Sequence, residues 1–267
     1  MLKKLPRMSL WNTDIPGGAS LDGNAPTLDP FILEGRTTGV IVVCPGGGYA
    51  QRAPHEGAPI AQWLNANGIS VVVCNYRVSP HHHPFPLIDV KRAVRTVRAN
   101  AKEWNIDPAH VGALGFSAGG HLVYTLATHW HYHENVETTD SIDALSARPD
   151  TIILCYAVVS LVEPFGHTGS MKNLLGENVT EDMKLFLSNE KHVRADTPPA
   201  FLWHTSDDPG VPLDNSLVFA SALRKNNIPC ELHAYESGKH GLGLAKDIPD
   251  VGDWTTQCIR WLKRRGW

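Results

Sequence analysis

Short apolar runs alternate with segments of helical periodicity along most of the chain. Six runs predict buried strands, and these are Val40–Cys44, Ser70–Asn75, Val111–Leu114, Thr151–Ala157, Ala200–His204 and Glu231–Tyr235. Runs that are apolar on both faces are typical of parallel strands covered by helices on each side. The pattern therefore predicts the α/β class, with a mostly parallel central sheet and helices on both faces.

Apolar residues spaced three and four apart predict the helices between these strands. The clearest run follows Pro86 and places Leu87, Val90, Val94 and Val97 on one helix face. Weaker runs predict helices near residues 60–68, 118–130, 214–223 and 251–261. Strands and helices thus follow one another in the order that parallel sheets require.

We expect residues 1–267 to form a single domain. Residues 1–35, rich in Gly, Pro, Asp and Asn, are predicted to form an irregular arm that leaves room for one edge strand. Residues 163–199 fit the alternation poorly. Because insertions in this architecture stand above the carboxyl ends of the strands, we expect part of this segment to form a small lid or substrate wall. A structural excursion without substrate contact is the alternative.

Composition narrows the possible partners. The net charge of −3 and the charged fraction of 19% are unlike those of a basic nucleic-acid binder. No apolar run approaches the roughly 20 residues that a membrane span needs, and no apolar run follows the first ten residues as in a signal peptide. The five cysteines contain no CxxC pair, which favours free thiols in a reducing compartment. We therefore expect a cytoplasmic protein without nucleic-acid or membrane partners; its oligomeric state stays open.

The segment Gly115–Gly119 carries the strongest chemical signal in the chain. It reads G-F-S-A-G, directly after a predicted strand and directly before a predicted helix. In this G-x-S-x-G context the serine lies on a tight turn that exposes its hydroxyl, and small neighbours let strand and helix approach. We predict that Ser117 is a nucleophile. The amide of Ala118, at the helix N-terminus, is predicted to stabilise a developing oxyanion.

A second glycine-rich segment follows the first buried strand. Residues 45–49 read P-G-G-G-Y, and such glycines leave backbone amides unshielded by side chains. The loop occupies the chain position from which a second oxyanion donor comes in this type of site. We assign the amides of Gly47 and Gly48, with that of Ala118, to an oxyanion hole. A phosphate-binding loop is the alternative, but the Lys-Ser/Thr pair that follows such loops is absent.

A serine hydroxyl needs a base, and the base needs a carboxylate that fixes its tautomer. In the chain order serine, acid, histidine, the acid follows a late strand and the histidine follows the next one. Asp207 and Asp208 both follow the strand that begins at Ala200, and Asp208 is preferred. His240 lies in a glycine-flanked loop after the last predicted strand and is the predicted base.

Other polar residues cluster near the glycine-rich loop. Tyr49, Arg52 and His55 are predicted to contact substrate. For Arg52, His55 and the adjacent Glu56, local structure at a helix start is the alternative. Three adjacent histidines at 81–83 have no flanking ligands at metal spacing, so no metal site is predicted, and the chemistry requires no cofactor.

These motifs together resemble a known family. PGGGY at 45–49, GFSAGGH at 115–121, HTSDDPGVP at 204–212 and GKHGLG at 238–243 are similar to segments of microbial acetyl xylan esterases and related carbohydrate acetyl esterases. The resemblance implies the α/β-hydrolase fold, the triad Ser117, Asp208 and His240, and a short-chain acetyl ester on a sugar as substrate. Pro45 departs from many relatives, which have His at that position, but the backbone donors survive the change.

The resulting functional prediction is a serine esterase that cleaves acetyl esters of a small molecule, an acetylated sugar or xylo-oligosaccharide, through an acyl-enzyme. The triad alone does not select the bond that is cleaved, so a formamidase and a small peptidase or lipase-like hydrolase remain alternatives. A non-catalytic binding protein on the same fold is an alternative from a different class.

Overall fold

Nine strands join into one sheet within the residues that the computed structural model describes, which are 2–11, 15–17, 25–132, 140–177 and 179–267. The strands are β1 Leu2–Lys4, β2 Met8–Ser9, β3 Thr27–Leu33, β4 Thr38–Cys44, β5 Ser70–Asn75, β6 Ile106–Phe116, β7 Ile152–Cys155, β8 Ala200–Thr205 and β9 Cys230–Tyr235. The helices are α1 Ala58–Ala66, α2 Phe85–Ala99, α3 Ser117–His129, α4 Thr168–Leu175, α5 Glu181–Phe186, α6 Asp214–Lys225, α7 Pro249–Gly252 and α8 Trp254–Arg264. Short 3₁₀ turns lie at Pro54–Glu56 and Asn189–Lys191.

The strand order places two loops side by side. The order is β1-β3-β5-β4-β6-β7-β8-β9, and β2 also pairs with β3. All pairs from β5 to β9 are parallel, so the chain leaves β4 for β5 on one side and later returns to β6 on the other. Ligands bind at the carboxyl ends of strands where the order reverses in this way. The loops after β4 and β6 meet at this point.

Helices cover both faces of the sheet, as the buried strands require. Along β4, Val40, Val42 and Cys44 point into one core, while Ile41 and Val43 point into the other. Helices α2, α3 and α6 cover the first face, and α1 and α8 cover the second. The α/β class and the mostly parallel sheet predicted from the sequence are therefore confirmed.

The described part of residues 1–35 forms more regular structure than we predicted. Three strands, β1 to β3, extend the sheet antiparallel from its β5 edge. In β3, Leu28 and Ile32 are buried and alternate with half-buried neighbours. Proline is unusual inside a strand because it lacks an amide hydrogen. Pro30 lies between the part of β3 that pairs with β2 and the part that pairs with β1, where no partner strand needs that hydrogen. The expectation of an irregular arm with room for one edge strand was wrong for the described part, which forms three strands; residues 1, 12–14 and 18–24 lie outside it.

A buried ion pair fastens this arm to the rest of the fold. Arg77 donates to both carboxylate oxygens of Asp89 at 2.8 Å, and Trp11 donates to the same carboxylate at 3.0 Å. Arg77 also donates to the carbonyl of Pro16 at 2.8 Å. Two buried charges are tolerable only when hydrogen bonds satisfy them in this manner. The arm is thus held by polar contacts as well as by strand pairing.

The five cysteines are free, as predicted. Four of them are buried and Cys230 is exposed. In the described residues, no helix is both long enough and apolar enough to cross a membrane.

The turn between β6 and α3 yields a stability prediction. A Cβ on Gly119 would lie 2.2 Å from the Cys44 carbonyl oxygen, whereas a Cβ on Gly35 would meet nothing within 4 Å. Gly35 has a φ of +86°, so Gly35→Ala meets only backbone strain of about 1 kcal/mol. We expect Gly119→Ala to lower the free energy of unfolding by about 3 kcal/mol. Urea unfolding of both variants checks this, and equal losses would contradict it.

Candidate active site

Ser117 occupies a strained corner between β6 and α3. Its φ is +50°, a left-handed conformation that non-glycine residues rarely adopt, and it is 6% exposed. The corner is tight because a Cβ on Gly115 would lie 2.2 Å from the carbonyl oxygen of Gly119. Only glycine fits at such distances, so the local sequence dictates the turn that holds the serine hydroxyl at the sheet edge.

Ser117, His240 and Asp208 form one hydrogen-bonded series. The distance from His240 Nε2 to Ser117 Oγ is 2.8 Å, and the distance from His240 Nδ1 to Asp208 Oδ2 is 2.7 Å. Because the carboxylate accepts from Nδ1–H, the lone pair of Nε2 is left to accept from the serine hydroxyl. The structure thus brings the three predicted residues together in the order that nucleophilic activation requires.

Asp208 is a buried carboxylate with several donors. Its Oδ1 accepts from the amides of Gly210 at 2.8 Å and Val211 at 3.0 Å. His204 Nε2 lies 3.6 Å from Oδ2. Burial by itself would raise the pKa of Asp208, but the nearby His204 and hydrogen bonds from His240 and the Val211 amide outweigh it and hold that pKa well below its usual range. The group that orients His240 is therefore charged.

Asp207, the alternative acid, has a different set of partners. Its side chain accepts from Ser237 Oγ at 2.6 Å and from the Gly238 amide at 2.7 Å. These hydrogen bonds lower the pKa of Asp207, and the one from Ser237 has the larger effect. The two adjacent aspartates thus fasten the same loop at different points, and only Asp208 contacts His240.

The glycine-rich loop after β4 lies against the nucleophile. A Cβ on Gly46 would be 3.1 Å from the Cβ of Ser117. Gly47 and Gly48 have φ values of +125° and +65°, which a side chain would disfavour. Among the described residues, the amides of Gly47, Gly48 and Ala118 have no protein acceptor. Free amides beside a nucleophile are what an oxyanion hole needs.

Tyr49 does not lie where we predicted. It is 1% exposed, and its hydroxyl lies 2.9 Å from His121 Nδ1. His121 Nε2 donates to the Leu187 carbonyl at 2.9 Å, so Nδ1 accepts from Tyr49. Burial lowers the pKa of His121 to about 4, which keeps the ring neutral. Tyr49 therefore supports the loop from behind, and this geometry gives it no substrate contact.

Arg52 and His55 have partners within the protein. Arg52 Nη1 donates to the Tyr76 carbonyl at 2.6 Å and is half-buried. His55 is exposed, and its Nε2 lies 2.9 Å from the carbonyl oxygen of Gly241, next to His240. Both side chains lie near the site, and their contact with substrate stays a prediction.

Helix α4, within the predicted lid segment, stands over the glycine-rich loop. Asn173 Nδ2 donates to the Gly48 carbonyl at 2.8 Å, and Ser170 Oγ would be 4.0 Å from a Cβ on Gly48. His167 caps the helix by accepting from the Ser170 amide through Nδ1 at 3.1 Å, which places the proton of the neutral ring on Nε2. Burial, and then nearby His240, lower the pKa of His167. This helix forms a polar wall beside the candidate site.

Two of the three adjacent histidines support that wall. His82 Nδ1 donates to the Asn173 carbonyl at 2.9 Å, and the His83 amide donates to the Leu174 carbonyl at 2.7 Å. Burial lowers the pKa of His83 to about 4. These contacts give His82 and His83 a structural role in holding α4. That residues 163–199 form a small lid stays a prediction.

Several residues of the site could not be found from motifs. His167 and Asn173 lie near it only through long-range packing, whereas His204 lies four residues before Asp208. Glu56 and Tyr156 are buried under the glycine-rich loop and joined by a hydrogen bond of 2.6 Å. In the sequence, only the position of Glu56, between the glycine-rich loop and an apolar helix, indicates that it lies near the site.

Fold and site together define an α/β-hydrolase with a serine, histidine and aspartate series at the carboxyl edge of its sheet. The chain belongs to the BD-FAE family, which matches residues 32–223.

A solved structure supports this assignment over nearly the whole chain. The acetyl ester-xyloside bifunctional hydrolase from Caldicellulosiruptor lactoaceticus is 48% identical and superposes with a TM-score of 0.93, covering 98% of this chain and 96% of that one.

Two curated relatives are longer. The acetylxylan esterase of Xylanibacter ruminicola is 37% identical over 84% of this chain and 46% of its own length. The endo-1,4-beta-xylanase B of Butyrivibrio fibrisolvens is 39% identical over 78% of this chain and 33% of its own length. This chain therefore spans less than half of either relative.

The different partners of the two aspartates generate a prediction. Asp208→Asn should lower kcat by about 10⁴-fold, because the charge that orients His240 is lost. Asp207→Asn, the matched control, should lower kcat by less than about 10-fold, because only the loop anchor weakens. Steady-state kinetics on an aryl acetate, with circular dichroism of both variants, checks this. A larger loss for Asp207→Asn would refute the assignment.

Proposed function

We propose that the protein is a serine esterase that removes acetyl groups from acetylated xylan sugars. The observation that carries the proposal is the series Ser117, His240 and Asp208, with 2.8 and 2.7 Å contacts, next to a loop in which the amides of Gly47 and Gly48 have no acceptor among the described residues. Nucleophile, base, orienting acid and oxyanion donors are the full set that acyl transfer needs.

The proposed chemistry proceeds in two steps. Ser117 Oγ attacks the ester carbonyl carbon while its proton passes to His240 Nε2, and the carbonyl electrons form an oxyanion held by the amides of Gly47, Gly48 and Ala118. The oxyanion collapses, the alcohol leaves with the proton from His240, and an acyl-enzyme remains. Water then attacks with the help of the same histidine and releases the acid. No cofactor enters these steps.

The substrate class rests on the relatives and on the polar wall. Two of the similar proteins carry acetyl ester or acetylxylan activity in their names. The half-buried side chains of His167, near His240, and of Asn173, over Gly48, place polar groups beside the candidate site, which suits an alcohol with free hydroxyls. We propose that the acyl group is short and the alcohol is a xylose-based sugar.

The cellular location is part of the proposal as well. Four buried free cysteines are compatible with a reducing compartment. We propose that the protein acts in the cytoplasm on small acetylated oligosaccharides, with no nucleic-acid or membrane partner.

Acetate release is the decisive measurement. Wild type and Ser117→Ala are incubated with acetylated xylo-oligosaccharides, with p-nitrophenyl acetate, butyrate and octanoate, and with a formyl amide. We expect acetate from the sugar, a steep fall in rate by butyrate, and loss of all turnover in Ser117→Ala with the fold intact. Aryl ester cleavage without sugar deacetylation would overturn the substrate class.

Two further results would overturn the reaction class. Faster cleavage of the formyl amide than of acetyl esters would identify a formamidase. Failure of a serine-directed phosphonate to label Ser117 would favour a binding protein. An aryl xyloside, included as a control, tests the second activity in the name of the C. lactoaceticus protein.

A further inference from the structure

Glu56 is a buried carboxylate directly beneath the glycine-rich loop. It ends the 3₁₀ turn Pro54–Glu56 and is 2% exposed, although the adjacent His55 is exposed. Its Oε2 accepts from the Gly46 amide at 2.7 Å, and its Oε1 accepts from Tyr156 Oη at 2.6 Å. A carboxylate in this position is costly to bury unless both oxygens are satisfied.

Glu56 is the acceptor for the Tyr156 hydroxyl. Tyr156 Oη accepts from the Gly243 amide at 2.8 Å, so it donates its own proton to Glu56. Both carboxylate oxygens therefore accept, which matches the ionised form. Burial raises the pKa of Glu56, and hydrogen bonds from Tyr156 and then Gly46 oppose that shift.

This chain of contacts joins two loops that are remote in sequence. Gly46 directly precedes Gly47 and Gly48, whose amides we assigned to the oxyanion hole. Gly243 lies three residues after His240. The Tyr156 ring also contacts the His240 ring edge-on, with centroids 5.0 Å apart. One carboxylate thus reaches both halves of the proposed site.

The Gly243 end of this chain of contacts is anchored in the core. Trp254 Nε1 donates to the Gly243 carbonyl at 3.1 Å, and Trp254 is fully buried at the start of α8. Gly243 is therefore held through both its amide and its carbonyl, by Tyr156 and Trp254. The loop that carries His240 cannot shift without breaking these contacts.

We propose that Glu56 is a positioning residue. Through Gly46 it holds the oxyanion amides, and through Tyr156 and Gly243 it holds the loop of His240, so that both move as one unit relative to Ser117. The inference rests on the proposed serine esterase function. Displacements of a fraction of an ångström at such groups lower the rate of the chemical step more than they weaken ground-state binding.

Two variants test the role at minimal cost to packing. In Glu56→Gln the side chain keeps its shape but offers one acceptor oxygen for two donors. In Tyr156→Phe the ring remains against His240 but the link to Gly243 is lost. We expect each to lower kcat about 10- to 100-fold, less than the two to three decades typical for complete loss of one oxyanion donor. KM should change by less than about threefold.

Binding of a transition-state analogue separates positioning from mere stability. A trifluoromethyl ketone forms a tetrahedral adduct with the serine and places an oxyanion in the hole. Its affinity should fall in proportion to kcat/KM in both variants. The fold-loss of kcat in the double variant should be smaller than the product of the two single fold-losses, because both substitutions break the same chain of contacts from Gly46 to Gly243.

A matched control is Asp89→Asn. Asp89 is also a fully buried, hydrogen-bonded carboxylate, but its partners are Trp11 in the arm and Arg77 after β5. We expect this variant to lose stability in urea unfolding and to keep kcat and analogue affinity while it remains folded.

The outcomes distinguish the inference from the function on which it rests. If wild type hydrolyses p-nitrophenyl acetate and Ser117→Ala does not, the function holds. Unchanged kcat in folded Glu56→Gln or Tyr156→Phe, or a loss of kcat without loss of analogue affinity, then overturns the inference alone. If Glu56→Gln does not fold, Tyr156→Phe decides. An inactive wild type overturns both.

Discussion

The close approach of two backbone turns, one after β4 and one after β6, is the constraint on which the site depends. A Cβ on Gly119 would lie 2.2 Å from the Cys44 carbonyl, so the helix behind the nucleophile contacts the end of the neighbouring strand without any side chain between them. Parallel pairing that sets Cys44 opposite Gly115 brings these turns to the same level. Because of this contact, the glycine-rich loop and the turn that carries Ser117 lie side by side, although they are distant in sequence.

Two buried carboxylates serve this arrangement in different ways. Asp208 has donors on both oxygens, and its pKa lies well below the usual range, so it stays charged and orients His240. Glu56 has fewer donors, and burial raises its pKa. Asp208 lies in the loop after β8, and Glu56 lies under the glycine-rich loop. The difference follows from the balance between desolvation and donors, since the residues have the same chemistry.

The sequence predicts those features that are encoded locally. Apolar runs indicate the parallel strands, and the G-x-S-x-G pattern places Ser117 at a strand–helix corner because that chemistry lies within five residues. The contact between Glu56 and Tyr156 spans 100 residues, and no local pattern marks it. Tyr49 adjoins the glycine-rich loop, but its φ of +57° and its hydrogen bond to His121 accompany its burial. Tertiary packing decided these positions. Pro30 argued against a strand at this position. It is tolerated because β1 and β2 pair with β3 on either side of it, and that arrangement cannot be seen in the local sequence.

The adjacent aspartates show why sequence alone could rank them but could not explain both. β8 and β9 are parallel neighbours, with Thr205 opposite Tyr235, so the loops that follow them leave from one edge of the sheet. Asp207 then meets Ser237 at the start of the second loop, and Asp208 meets His240 further along it. One carboxylate fixes where the loop begins and the other fixes the ring that it carries. The exposed Asp207 therefore holds the start of the loop, and the buried Asp208 binds the His240 ring further along it.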